Sequence, residues 1–263
     1  MAGAPLLAPA VMIALVSPAK TLDYQSPLPP EQPSRPRFAA EAETLASAAA
    51  KLTAPKLMGL MGISDTLARL NVDRFRSFAD APERPAIRAF AGDVYLGFEA
   101  RTLEAPAIAF AQDHLRILSG LYGLLRPLDA IRPYRLEMGT RWAPGRSKDL
   151  SRWWGARVSE ALAAELAEEG SGTLLNLASR EYWHVVEQAP PAGARIVTID
   201  FREEGPKGLR FNSFAAKRAR GMMARWMCEH RVREAEDMKT FDSDGYRFDP
   251  GGSEGDLWRF VRR

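Results

Sequence analysis

Short apolar runs that alternate with helix-like segments constrain the fold of this chain most strongly. Met12–Val16, Thr173–Leu177 and Arg195–Phe201 are rich in aliphatic residues and have the length of strands. Helical patterns lie between them, and the clearest is Leu150–Glu169, where apolar residues recur at helical spacing and Gly170 follows. Strands separated by helices predict an α/β (mixed α+β) fold, with a single sheet flanked by helices.

The other segments continue this alternation. We predict helices over Phe38–Leu52, Pro55–Leu60, Asp65–Asn71, Pro85–Phe98, Ala107–Arg116 and Phe214–Arg233, and strands within Ile117–Leu125, Leu209–Phe211, Tyr246–Phe248 and Leu257–Val261. Residues 1–11 contain two prolines and precede a fresh methionine, so we expect a disordered extension there and a single domain over 12–263. With 263 residues, 46% of them hydrophobic, the chain can bury a substantial core.

The first residues and the cysteine content indicate a cytoplasmic protein. The apolar start lacks a basic n-region and is too short and too broken by proline for a membrane span. Cys228 is the single cysteine, which excludes an intrachain disulfide, and a reducing compartment is typical of such a chain. Its place near the apolar side of a predicted helix indicates a structural thiol rather than a reactive one.

Basic residues are concentrated locally, although the formal net charge is only +3. Between Arg116 and Arg152 there are eight basic and three acidic residues, with tyrosines and tryptophans among them. Between Lys207 and Arg233 there are eight basic residues and one acidic residue, and the segment from Glu234 to Asp256 reverses this balance. Arginine offers a planar fork of donors that matches phosphate oxygens, so the pattern indicates a polyanionic partner. The alternative is that these arginines tie loops together.

The segment Phe214–Arg233 predicts an amphipathic helix with a cationic face. At about 100° per residue, Lys217, Arg218, Arg220, Arg225 and Arg231 fall within one arc of roughly 160°, with no acidic residue between them. Gly221 lies on this face, where its missing side chain lets a backbone or a phosphate come close. An ordinary solvated surface helix has the same pattern.

Residues 54–68 are similar to a helix-hairpin-helix module, in which a tight turn presents backbone amides to a nucleic-acid phosphate. Gly62 fits the first glycine of the turn, Ser64 replaces the usual second glycine, and Lys56 lies on the first helix. The alternative is a structural helical hairpin in which Ser64 is a plain N-cap.

Polar residues follow the first strand, where α/β folds place ligand sites. Ser17, Lys20 and Asp23 are the candidates there, and Tyr134 is a further candidate for the same cleft. The segment has no P-loop glycines. Catalytic and metal motifs are weak: the three histidines have no ligand spacing, and neither G-x-S-x-G nor G-x-G-x-x-G is present. We therefore expect no metal, no cofactor and no defined catalytic residues.

Five blocks of the chain resemble those of the YaaA family of peroxide-stress proteins: SPAKTLDYQSP (Ser17–Pro27), GDVYLGF (Gly92–Phe98), LRILSGLYGLLRPLDAIRPYRLEMG (Leu115–Gly139), NLASREY (Asn176–Tyr182) and FAAKRARGMMARW (Phe214–Trp226). The resemblance implies a bacterial, cytoplasmic monomer that binds DNA and limits the iron-driven damage caused by hydrogen peroxide. It also implies a single mixed α/β unit with a basic cleft and a helix-hairpin-helix element at Pro55–Leu70.

The leading hypothesis is therefore a duplex-DNA binder without base-specific readout. The expected DNA-contacting residues are Lys20, Lys56, Gly62, Ser64, Arg116, Arg126, Arg132, Arg135, Lys217, Arg218, Arg220 and Arg225. One alternative is an enzyme that acts on a phosphorylated or nucleic-acid substrate at Ser17, Lys20 and Asp23. Another is an adaptor whose basic face meets an acidic protein.

Overall fold

A computed structural model describes residues 12–170 and 172–263. The predicted extension over residues 1–11 lies outside the described residues, and the predicted single domain over 12–263 stays a prediction. The helices are α1 (Ala39–Ala49), α2 (Ala54–Met61), α3 (Asp65–Arg76), α4 (Ala86–Ala89), α5 (Asp93–Phe98), α6 (Ala105–His114), α7 (Leu150–Glu169), α8 (Arg180–Glu187) and α9 (Ser213–His230).

The strands form a mostly parallel sheet flanked by helices, which confirms the predicted fold class. They are β1 (Ile13–Val16), β2 (Arg84–Pro85), β3 (Leu115–Ser119), β4 (Gly123–Leu125), β5 (Ala130–Ile131), β6 (Thr173–Leu177), β7 (Arg195–Gly205), β8 (Gly208–Arg210), β9 (Tyr246–Phe248) and β10 (Leu257–Arg262). The main sheet has the order β4-β3-β1-β6-β7-β10-β9, and β8 pairs with β7. Strands β3, β1, β6, β7 and β10 run parallel, while β2 and β5 form a separate pair.

The core is built on the central strands. Every residue of β1 is buried, and so is every residue of β3. Strands that are buried along their whole length are typical of a parallel sheet whose two faces are covered by helices. The long helix α7 begins at the Asp149 cap, whose carboxylate accepts from the Arg152 amide at 2.8 Å, and ends at Gly170 in the left-handed region. Sequence signals at both ends therefore define this helix.

The single helix predicted over Pro85–Phe98 is wrong. The chain is extended at Phe90 and Gly92, which separates α4 from α5. The Ala91 amide donates to the Thr21 carbonyl at 3.0 Å, and Phe90 bridges to Leu22. Backbone pairing with the segment after β1 therefore replaces the helical hydrogen bonds. The helix predicted through Arg116 ends at His114, because the next residues pair with β1.

Helices α5 and α9 cross in direct backbone contact. A Cβ added at Gly221 of α9 would overlap the Val94 carbonyl oxygen, and one added at Gly97 of α5 would overlap the Arg218 carbonyl. The close approach that we predicted at Gly221 is therefore to a backbone. This crossing fixes α9 beside the segment that follows β1.

In the ranges that the structure covers, no helix has the length and apolar character needed to span a membrane.

Candidate anion-binding site

A pocket of about 490 Å³ lies where β1 and β6 end. The two strands are parallel neighbours, so their carboxyl ends meet at one edge of the sheet, where α/β folds bind ligands. Four cations and two carboxylates line this pocket together with two serines: Ser17, Lys20, Asp93, Ser179, Arg180, Glu181, Lys217 and Arg220. The pocket has the volume of a small-molecule site.

Two serines connect the strand ends. The Ser17 hydroxyl accepts from the Ser179 amide at 2.8 Å and donates to the Ser179 hydroxyl oxygen at 3.2 Å. This arrangement leaves the hydrogen of the Ser179 hydroxyl available to a ligand. The Tyr95 hydroxyl donates to the Ser17 carbonyl at 3.1 Å, so α5 helps to fix the loop after β1. These hydrogen bonds position the serine pair at the junction of the two strands.

The amino end of α8 borders the pocket. Ser179 precedes this helix, and its carbonyl accepts from the Tyr182 and Trp183 amides at 3.0 and 2.8 Å. The amides of Arg180 and Glu181 have no hydrogen-bond acceptor among the described residues. The unsatisfied amides and the helix dipole make this end of the helix electropositive, which favours an anion.

Helix α9 contributes two further cations. The Lys217 ammonium is half-exposed and lies 4.0 Å from the Asp93 carboxylate. The Nε of Arg220 is buried and has no hydrogen-bond partner in the part of the chain that the structure describes. Burial lowers the pKa of Arg220 from its ordinary value, and Asp200 opposes this shift. A largely buried arginine without a direct partner is costly unless a ligand supplies the missing acceptor.

Of the residues predicted around the first strand, the structure brings Ser17 and Lys20 into the pocket, together with Lys217 and Arg220 from α9. Lys20 binds Glu137 at 2.8 Å, and Arg135 binds the same carboxylate at 3.0 Å. Arg135 is therefore connected to the pocket residue Lys20 through Glu137 and does not line the pocket itself.

Asp23 and Tyr134 are not among the residues that line the pocket. Asp23 accepts from the Ser26 and Gln25 amides, both at 2.9 Å, and pairs with Arg101. These hydrogen bonds, those from Ser26 above all, hold the pKa of Asp23 well below its usual range. The Tyr134 hydroxyl lies 2.6 Å from the Ser119 hydroxyl inside the core, and burial raises its pKa. Both residues therefore organise the fold instead of the ligand cleft expected from the sequence.

Two arginines that were predicted to contact DNA, Arg116 and Arg126, are instead paired with carboxylates of the protein. Arg116 is buried, donates to Glu165 at 2.8 Å and also binds two backbone carbonyls. Arg126 binds Asp129, which is fully buried, at 3.0 Å. Arg116 is thus only 6% exposed, and both arginines tie elements together as in the alternative interpretation of this block.

Other predicted cations also have partners. Arg132 pairs with Glu83 at 3.0 Å, and its guanidinium lies over the Phe78 ring. Arg225 binds Glu229 at 2.7 Å and donates to the Phe98 and Glu99 carbonyls that end α5. The cationic face predicted for α9 is therefore interrupted: Arg225 packs on the end of α5, whereas Lys217 and Arg220 line the pocket and the Arg218 side chain is exposed.

The predicted hairpin consists of α2, a turn and α3. Gly62 has a φ of +61°, a conformation that suits glycine, and ends α2. The Ser64 hydroxyl accepts from the Leu67 amide at 3.4 Å, so Ser64 caps α3 as the structural alternative requires. Lys56 is exposed, and Asp65 pairs with Arg69 at 2.7 Å, which neutralises the acidic residue beside the turn.

Sequence reasoning missed Ser179 and Arg180. The signal was present, because Ala178-Ser-Arg-Glu follows the strand Thr173–Leu177 in the same way that Ser17-Pro-Ala-Lys follows the first strand. Helix α8 was also not predicted.

Cys228 is fully buried, and burial raises the pKa of its thiol, so the predicted structural role agrees with its surroundings. Among the described residues, no group of three His, Cys, Asp or Glu side chains is arranged to hold a metal.

Comparison with known proteins connects this fold to one family. The model of the family described as peroxide stress protein YaaA matches residues 12–251. A UPF0246 protein of Rhizorhabdus wittichii is 66% identical over 251 residues, which cover 95% of this chain and 99% of that protein. UPF0246 proteins of Caulobacter vibrioides and Hahella chejuensis are 46% and 44% identical, again over 95% of this chain and 99% of each relative.

Proposed function

Because the chain belongs to the peroxide stress protein YaaA family, as the sequence blocks predicted, we propose that it acts in the peroxide response by binding duplex DNA as a cytoplasmic monomer. One observation carries this proposal. Arg180, Arg218 and Arg220 have no carboxylate partner among the described residues, whereas Arg116, Arg126, Arg132, Arg135 and Arg225 all have one. Cations without a partner are the ones available to phosphates.

The surface that we propose for DNA combines the rim of the pocket with the amino half of α9. Lys217 and Arg218 are exposed there, and the Lys20 side chain is 53% exposed despite its bond to Glu137. Contacts of this kind are made with the phosphate backbone, which is the same for every sequence. The proposal therefore includes no base-specific readout.

The hairpin at Gly62 is proposed as a second phosphate contact. Its glycine turn is exposed, and Lys56 has no ion pair in the described ranges. The amino end of α3 lies directly after the turn, so its dipole favours a phosphate. We propose that DNA held in this way is shielded from iron-driven oxidation.

The test is duplex affinity as a function of salt, measured by fluorescence anisotropy with two duplexes of unrelated sequence. We expect equal affinities for both, and log affinity that falls linearly with log salt. Affinity that differs strongly between the duplexes would contradict backbone binding. No binding at low salt would refute the proposal and favour a different partner for the cationic surface.

A second candidate function is an enzyme that acts on a phosphorylated substrate. The specific observation in its favour is the Ser17–Ser179 pair at two parallel strand ends, beside an arginine that lacks a partner. Asp23, which the sequence placed in this site, is not part of it. Turnover of a nucleotide or nucleic acid by the purified protein, abolished by Ser179→Ala, would favour this candidate over simple binding.

A further inference from the structure

The pocket at the ends of β1 and β6 joins the exposed face of α9 to a less accessible cation: Lys20, Arg180 and Lys217 are exposed, whereas Arg220 is only partly exposed. We propose that it binds the terminal phosphate monoester of a nucleotide, with Arg220 and the amino end of α8 as the anion site. The inference rests on the proposed function, because it assumes that this surface binds nucleic acid. It adds a subsite for a terminal phosphate to that surface.

The donor set of the pocket matches a phosphate. The Ser179 hydroxyl and the amides of Arg180 and Glu181 converge at the start of α8, and none of the three has an acceptor for its hydrogen within the described residues. Three tetrahedrally arranged oxygens of a monoester can accept from several such donors at once, whereas a carboxylate offers two oxygens. A phosphate therefore satisfies more of these groups than a carboxylate does.

The charge of the pocket favours a dianion. Four cationic side chains line it against two carboxylates. Asp93 lies 4.0 Å from the Lys217 ammonium, and Lys20 binds Glu137 at 2.8 Å. Glu181 accepts from the Gly139 amide at 3.4 Å. Arg180 and Arg220 are therefore the lining cations that have no carboxylate partner among the described residues. Arg220 remains without a direct partner, and its buried Nε is the strongest unmet demand for an acceptor at this site. A terminal phosphate carries more negative charge than an internal diester of DNA, so it fits this balance better.

An exposed aromatic ring beside the pocket suits the base of a nucleotide. Phe214 is 69% exposed, and the Lys217 ammonium lies 5.5 Å from the centre of its ring. Lys217 itself lines the pocket, so the ring lies one side chain away from the anion site. Bases stack on exposed aromatic rings irrespective of sequence. The pocket volume of about 490 Å³ also accommodates a nucleotide phosphate and sugar.

The first measurement compares dAMP with deoxyadenosine by isothermal titration calorimetry. We expect wild-type protein to bind dAMP about tenfold to a hundredfold more tightly, because charged hydrogen bonds to phosphate are lost in the nucleoside. Arg220→Gln and, independently, Ser179→Ala should remove this preference. The matched control is Arg218→Gln, on the same helix but outside the pocket lining, which should keep it. Thermal melting confirms that each variant is folded.

The second measurement identifies the source of the phosphate. Two blunt duplexes of one sequence, with 5′-phosphate or 5′-hydroxyl ends, are compared by anisotropy. Tighter binding of the phosphorylated duplex, lost in Arg220→Gln, assigns the site to DNA ends. Equal duplex affinities with a retained dAMP preference assign it to free nucleotide. If neither dAMP nor the 5′-phosphate is preferred, or if folded Arg220→Gln keeps the preference, the inference is overturned, while salt-dependent duplex binding would still support the proposed function.

Discussion

Substituting Gly221 by alanine tests the contact that positions α9 over the pocket. The added Cβ would overlap the Val94 carbonyl oxygen and lie 2.8 Å from the Phe98 amide nitrogen. Val94 and Phe98 are four residues apart in α5, so the Phe98 amide donates to the Val94 carbonyl in the helical hydrogen-bond pattern. The methyl group must therefore either break that bond or separate the two helices.

The magnitude follows from three contributions. Overpacking costs about 1–3 kcal/mol, and a weakened hydrogen bond costs about 1 kcal/mol. Alanine recovers about 1 kcal/mol through its higher helix propensity, so the net loss is about 2 kcal/mol. Gly155→Ala, in α7, is the matched control, because its Cβ would meet nothing within 4 Å and should stabilise by about 1 kcal/mol. We expect a difference of about 3 kcal/mol between the two variants.

Urea unfolding followed by circular dichroism measures both variants. Because α5 holds Ser17 through Tyr95, and α9 carries Lys217 and Arg220, Gly221→Ala should also weaken ligand binding in the folded protein. If Gly221→Ala were as stable as Gly155→Ala, the backbone contact between α5 and α9 would be refuted.

Three more substitutions probe the fold and its proposed surface. Arg116→Met should destabilise by about 1–2 kcal/mol, because Glu165 loses its buried partner but keeps its pair with Arg37, yet it should leave duplex affinity unchanged; weaker binding by a folded variant would contradict its interior role. In the wild-type protein, burial raises the pKa of the Cys228 thiol, so the thiol stays neutral in the folded state. The free energy of unfolding should then be constant below the pKa of the unfolded thiol, about 8.5, and fall as the pH rises above it. Cys228→Ala should remove this fall. Gly62→Val should lower duplex affinity while circular dichroism stays near wild type, because valine tolerates a φ of +61° poorly; unchanged affinity would make the hairpin purely structural.

The elements that the sequence predicted well are those with both a periodic pattern and end signals. Leu150–Glu169 was predicted to the residue, because helical spacing continues up to Gly170. The strands that carry buried aliphatic runs were also predicted correctly. We made no prediction of their order in the sheet, because parallel pairing joins residues about a hundred positions apart, such as Ala14 and Leu115.

The candidate site was harder to predict than the fold. Ser17 and Lys20 were found because they follow a strand, but Asp23 follows the same strand and turns to Ser26 and Arg101. Composition identified the arginines as a group and gave no means of separating those with carboxylate partners from those without. Arg116 and Glu165 are 49 residues apart, so only the packing of β3 against α7 reveals that pair.

The central claim is that DNA meets the cations without close carboxylate partners. The most direct test is the slope of log affinity against log salt for two double variants. Arg180→Gln with Arg218→Gln should reduce the slope by about 1.8, since each lost phosphate contact removes about 0.9. Arg132→Gln with Arg135→Gln, where each arginine already binds a glutamate at 3.0 Å, should leave the slope unchanged. A slope that changes with the second pair and not with the first would contradict the account.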